Sequence, residues 1–220
     1  MLDFPASGNA LWALFDAGGP RPEYVLPVLY AESGFDPSLP NQAGAAYYGI
    51  NQANPGLIST YANTDPATYL TWPASAQIET VVSGMFRAIV GVYGAIRSGT
   101  RSYQANFLPA TMPRARSLGS VIASAGDGTN VYAANRGIDT AGKGTITVGD
   151  LAAFVGKAAR SSAVIDAIAQ TYALRPGETP REPVYGEDFG SFRAPGATLG
   201  MFAAAASMAF LYYVAFVRRA

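Results

Sequence analysis

Two absences bound the chemistry open to this 220-residue chain: it contains no Cys and no His. Thiolate nucleophiles, disulfides and Cys-ligated metals are excluded, as are Ser-His-Asp and His-zinc arrangements. Acid/base work falls to carboxylates, Lys or Tyr. The chain has 15 Asp and Glu residues, few enough to weigh one at a time. Glu32 stands out. Pro22 opens a helical stretch ahead of it, Val25, Leu26, Val28 and Leu29 give that stretch an apolar face, Pro27 is placed to kink it, and Ser33-Gly34 breaks it. A carboxyl at a helix C-terminus meets the negative end of the helix dipole, and flanking Leu29, Tyr30 and Phe35 desolvate it. Both effects raise its pKa, which is how a Glu stays protonated near neutrality to act as a general acid. Position alone favours a solvated surface Glu at a helix end; the surrounding pattern shifts the balance.

That pattern is Glu32-Ser33-Gly34-Phe35-Asp36-Pro37, then Gly44-Ala45, then Tyr48-Gly49-Ile50-Asn51-Gln52, with Pro55 just beyond. It resembles the soluble lytic transglycosylase family of the lysozyme-like superfamily, whose pattern is E-S-x-F-x-P, a short loop, G-A and G-x-x-Q. Gly44 and Ala45 fall at the family's spacing from the Glu, and a two-residue insertion delays Gly49 and Gln52. The resemblance implies that Glu32 is the catalytic acid/base, that Ser33 hydrogen-bonds near it, and that Gln52 lines the sugar groove. The family's later A-Y-N-A-G motif is missing. Tyr103-Gln104-Ala105-Asn106-Phe107 stands about where it would fall and offers Tyr103 and Asn106 as further substrate-binding residues. Tyr103 and Phe107 read equally well as core packing.

Glycosidic cleavage usually takes two carboxylates, an acid plus a base or nucleophile. Downstream of Glu32 the nearest carboxylates in sequence are Asp36 and Asp65, and Asp36 is better suited to cap the following turn. Lytic transglycosylases work with one carboxylate. It protonates the leaving oxygen, then takes the proton from the sugar's own 6-hydroxyl as a 1,6-anhydro ring closes. The resemblance therefore implies cleavage of the N-acetylmuramic acid–N-acetylglucosamine bond of peptidoglycan glycan strands by Glu32, with no metal and no cofactor. A muramidase-type hydrolase is the second choice. The rival of another class is an inactive lysozyme-like structural or wall-binding component of a virion or secretion machine.

Two other constellations carry less. Asp139 to Asp150, DTAGKGTITVGD, has the turn glycine and terminal acid of an EF-hand loop, but Ala141 and Lys143 stand where calcium needs oxygen ligands. It reads as a degenerate loop that keeps its turn without the metal. Arg97, Arg101, Arg114 and Arg116 read as a solvated basic face. With 15 Lys and Arg against 15 acids, no electrostatic footprint for nucleic acid is visible.

Helical signals dominate the elements that must position these residues. Ser75 is predicted to cap a helix with Ile78, Val81, Val82, Met85, Ile89, Val92 and Ile96 on its apolar face, stopped by Gly99. Pro113 suits the start of another, with Leu118, Val121 and Ile122 on one face. Thr147 and Asp150 have capping-box spacing ahead of a helix running to Leu174. Long loops are expected at 36–75 and 100–112, and no convincing strands. The fold class is all-α or mainly α: a lysozyme-like catalytic domain over 1–174, a Pro/Gly-rich linker over 175–196 and a C-terminal transmembrane helix over 197–217. That last segment holds 21 uncharged residues followed by Arg218-Arg219. It is Ala-rich, so Gly200/Ala204 and Ala203/Ser207 offer close helix contacts. The N-terminus has no signal-peptide pattern. These features point to a membrane-anchored enzyme with its catalytic domain on the wall side, delivered in a virion for cell-wall penetration, with a homo-oligomer or virion proteins as further partners.

Overall fold

The computed structural model describes residues 1–41 and 46–181, and these are mainly helical. In chain order the helices begin with α1 (Ala6–Asp16), α2 (Pro22–Ser33), α3 (Pro55–Ala62), α4 (Pro66–Tyr69) and α5 (Ala74–Gln77). A π-helical turn, Ile78–Val82, leads into α6 (Ser83–Tyr93), and α7 (Gly99–Phe107) follows. Two short strands come next, β1 (Val121–Ser124) and, after α8 (Val131–Asn135), β2 (Thr145–Thr147). The described chain closes with α9 (Val148–Ala159) and α10 (Ser162–Ala173).

Helix α2 is the axis of the domain. Pro22 sits in its first turn, where a missing N–H costs nothing, and every residue from Pro22 to Leu29 is buried. The helix stays continuous through Pro27. Val25, Leu26 and Leu29 pack with Leu11 and Leu14 of α1, Val82 and Phe86 near the π turn, and Val164 of α10. On its other side Val28 joins Tyr103 of α7, Ile122 and Ile146 of the strand pair, and Leu151 and Val155 of α9. A helix buried this way is held by both clusters. Truncating one such Leu to Ala costs about 2–5 kcal/mol.

The structure departs from the sequence pattern in identifiable places. The helix expected to run on to Gly99 ends at Tyr93, and Ser98 caps a new one, α7, by accepting from Arg101 N–H at 3.2 Å. The expected loop at 100–112 is therefore largely α7. The loop expected at 36–75 holds α3 and α4, capped by Asn54 and Asp65. The helix expected to start at Pro113 does not form. Val121 and Ile122 lie in β1, which pairs antiparallel with β2. The Thr147–Asp150 capping box is present, but its helix stops at Ala159 and Ser161 caps a second one, α10. Arg101 is not on a solvated face: it is 6 % exposed and donates to Gln104 Oε1 and to the carbonyls of Met112 and Ala115.

The segment read as a linker also begins differently. Residues 175–181 are held to the helical core. Arg175 pairs with Asp16 and lies over the Trp12 ring at 4.5 Å. Arg21 donates to the Thr179 carbonyl at 3.1 Å, and the Arg181 N–H donates to buried Glu23 at 3.1 Å. The rest of the linker and the 197–217 segment lie outside the described residues. Among the described residues no helix is long and apolar enough to cross a membrane.

Candidate active site

The last turn of α2 carries Glu32, and the chain must reverse directly after it. Gly34 does this in the left-handed conformation (φ 64°), with its N–H bonded to Tyr30 O at 2.8 Å. Phe35 follows at φ 67°, a conformation uncommon for a residue with a side chain. Its ring is buried and meets Tyr30 edge-on at 5.2 Å. The burial of Phe35 holds the reversal, and the reversal leaves Glu32 at the helix end.

Helix α7 supplies the partners. Asn106 Nδ2 donates to Glu32 Oε1 at 3.2 Å and lies 3.4 Å from the Asn51 carbonyl. The Tyr103 hydroxyl, one helical turn earlier, also hydrogen-bonds the Glu32 carboxyl. Tyr103 is held by stacking on Phe107, with centroids 6.1 Å apart, and on Phe154 of α9 at 5.5 Å. Glu32 keeps part of its surface open to solvent while protein encloses its carboxyl. Burial pushes its pKa up to about 7, against the opposing pull of the Tyr103 and Asn106 hydrogen bonds. Burial and the adjacent Glu32 push the Tyr103 hydroxyl far above its ordinary value, so it remains a donor at neutral pH.

The other residues carried over from the family pattern hold the architecture. Ser33 Oγ donates toward the carbonyls of Ile50, at 2.9 Å, and Leu29, at 3.1 Å, fastening the 48–52 turn to the end of α2. Gln52 adopts φ 50° and spends its amide donors on Leu39 O and Gly49 O at 3.1 and 3.0 Å. Both fasten backbone in this geometry. Gly49 has φ 73°, and a Cβ there would lie 2.5 Å from Gln77 Oε1 and 2.6 Å from the Tyr69 ring. Only glycine fits that approach. Gly44 and Ala45 lie outside the described residues.

Three residues near the site were not singled out in the sequence. Gln77 is fully buried, accepts from Ile50 N–H at 2.9 Å, and donates to Pro37 O and Tyr69 O. Its sequence signal was a lone amide at the start of an apolar helical run. Phe154 sits on the apolar face of α9 and looks there like any core residue. Asn51 is 2 % exposed, with both side-chain heteroatoms unpartnered among the described residues and its carbonyl 3.4 Å from Asn106 Nδ2. Nothing in its sequence context separates it from its neighbours.

Neither of the sequence's other carboxylate candidates turns toward Glu32. Asp36 accepts from the Ser38 N–H and hydroxyl, and Asp65 from the Thr68 N–H and hydroxyl. Burial, Tyr103 and Asn106 account for the Glu32 shift with no charged neighbour. Among the described residues no group of three acidic side chains is placed to hold a metal ion. In the degenerate EF-hand loop, Lys143 Nζ donates to both Asp150 oxygens at 2.9 and 2.8 Å, and Asp139 accepts the N–H groups of Lys143 and Gly144. Comparison with protein-family models, with curated proteins and with solved structures gave no match.

Proposed function

We propose that the protein is a peptidoglycan lytic transglycosylase that cleaves the N-acetylmuramic acid–N-acetylglucosamine bond with Glu32 as its single acid/base. The observation that carries this reading is the Glu32 carboxyl: its pKa is pushed up to about 7 by burial, and it hydrogen-bonds a phenol and an amide with no second carboxylate beside it among the described residues. A carboxyl tuned this way is protonated enough to donate and basic enough to accept at neutral pH.

In the first step the Glu32 proton passes to the glycosidic oxygen as the C1–O bond breaks. The departing sugar leaves as an alcohol, and positive charge develops at the muramoyl C1. Asn106 and Tyr103 donate to the carboxylate that Glu32 becomes, so they stabilise it as charge appears. In the second step the 6-hydroxyl of the same muramoyl ring attacks C1, and Glu32 takes its proton. The ring closes as a 1,6-anhydro sugar, no water is consumed, and Glu32 is again protonated.

The test is digestion of purified sacculi followed by mass spectrometry. Anhydro-muramoyl ends support the transglycosylase, and reducing ends, heavier by one water, mean a muramidase. Binding to the wall without release of soluble fragments would make the protein an inactive wall-binding component. The membrane anchor over 197–217, the wall-side placement and delivery within a virion remain proposals that rest on the sequence.

A further inference from the structure

A cavity of about 220 Å³ lies between the end of α7 and the strand pair. Its lining combines apolar Leu108, Ile122 and Val131 with Arg114, Asp127 and Thr129. Leu108 stands two residues after Asn106 in the chain, at the C-terminal cap of α7, the helix that supplies the Glu32 partners. Arg114 is exposed and has no ion-pair partner among the described residues. Asp127 organises its own turn, accepting from the Ser124 N–H, the Thr129 N–H and the Thr129 hydroxyl at 2.9, 2.9 and 2.7 Å. These three bonds leave one of the roughly four acceptor positions of a carboxylate open. They also hold Asp127 below its ordinary pKa, so it is ionised.

The two charges lie on one cavity yet make no salt bridge with each other. A simple anion drawn to Arg114 would meet the repulsion of Asp127, and a simple cation drawn to Asp127 would meet that of Arg114. A group carrying both charges meets neither penalty. We propose that this cavity binds the zwitterionic amino-acid end of an aliphatic arm, with its carboxylate on Arg114, its ammonium on Asp127 and its methylenes on Leu108, Ile122 and Val131. Wall stem peptides containing diaminopimelate carry such an end, whereas those containing lysine at the same position carry an ammonium alone. The proposal rests on the transglycosylase reading, in which the muramoyl sugar that bears the stem peptide lies against Glu32.

The test measures direct binding to the full-length protein by calorimetry, with two synthetic tripeptides that differ only in diaminopimelate against lysine. The diaminopimelate peptide should bind at least about tenfold tighter, the scale of one charge-assisted contact. Arg114→Gln should abolish that preference and Arg114→Lys should keep most of it. Equal binding of the two peptides, or a preference unchanged in Arg114→Gln, overturns the proposal. Glycan strands stripped of peptide, given to the wild-type protein, separate the two readings. Their cleavage without peptide preference sinks the cavity proposal and leaves the enzyme standing. Peptide preference that depends on Arg114, without cleavage, sustains the cavity and removes the enzyme.

Discussion

A carboxyl taken out of water costs stability whenever it ionises. The Glu32 value rises from an ordinary 4.5 to about 7 in the fold, so the folded state holds its proton more tightly than the unfolded chain. Stability then falls as pH rises from about 4.5 through 7, and the full penalty stands above that. Glu32→Gln removes the penalty. Denaturant unfolding should find the variant more stable by about 2–3 kcal/mol at pH 8 and unchanged at pH 4. The same substitution should lower wall-cleaving activity by about 10²–10⁴-fold, and full activity in it would falsify the assignment of Glu32. Because the acid must be protonated to start the reaction, kcat/KM of the wild type should decline as pH passes about 7. Tyr103 donates to the carboxylate form and holds the value down. Tyr103→Phe should therefore move that alkaline limb to higher pH. A limb that stays in place would reduce Tyr103 to core packing.

At the scale of elements, the site is a junction of α2 and α7, with α9 behind them. Phe154, six residues on from the start of α9, stacks on Tyr103, which reaches Glu32, so α9 bears on the acid through one aromatic pair. That start is fixed by the Thr147–Asp150 capping box, whose carboxylate also receives Lys143 Nζ. Where an EF-hand would place a divalent cation, this loop carries its own ammonium. Calorimetric titration of the full chain with calcium should give no binding heat. A micromolar dissociation constant would mean that Lys143 leaves the loop and that Asp139 and Asp150 serve as ligands.

For the whole molecule, the docking of residues 175–181 matters. Residues 175–181 dock beside the start of α2, where Arg181 donates to Glu23 and Arg175 pairs with Asp16. Glu32 lies at the other end of that helix, nine residues away, or about 13 Å at 1.5 Å per residue. Arg181, the last described residue, therefore sits at the end of α2 opposite the acid. Two truncations test the docking. A chain ending at residue 181 should melt like the intact domain. One ending at 174 strips buried Glu23 of a donor and should be less stable by about 1–3 kcal/mol. Equal melting of the two would make residues 175–181 a passive spacer. Separately, full-length protein should fractionate with membranes, and deletion of 197–220 should release it. Full-length protein that stays soluble without detergent removes the anchor from the proposal.

What the sequence determined by itself was local. It carried the helix opened by Pro22 and broken after Ser33, the Thr147–Asp150 cap, the Asp36 turn and the predominance of helix, because each depends on residues a few positions apart. It marked Glu32 by a spacing pattern, and it marked Tyr103 and Asn106 only by their approximate place in the chain. The tertiary structure decided what those residues touch. The bond between Asn106 and Glu32 spans 74 positions, and no periodicity reports a contact of that range. Ser33, read as bonding near Glu32, and Gln52, read as lining the sugar groove, turn donors to the backbone carbonyls of Leu29, Leu39, Gly49 and Ile50, since a reversal that tight leaves carbonyls needing partners. Arg101 looked like surface charge and is buried, because the carbonyls of Met112 and Ala115 and the Gln104 amide receive its guanidinium. The elevated pKa of Glu32 belongs to this second class as well. Helix-end position and apolar neighbours in sequence allowed it, but the burial that produces it comes from α7 and α9 packing against α2.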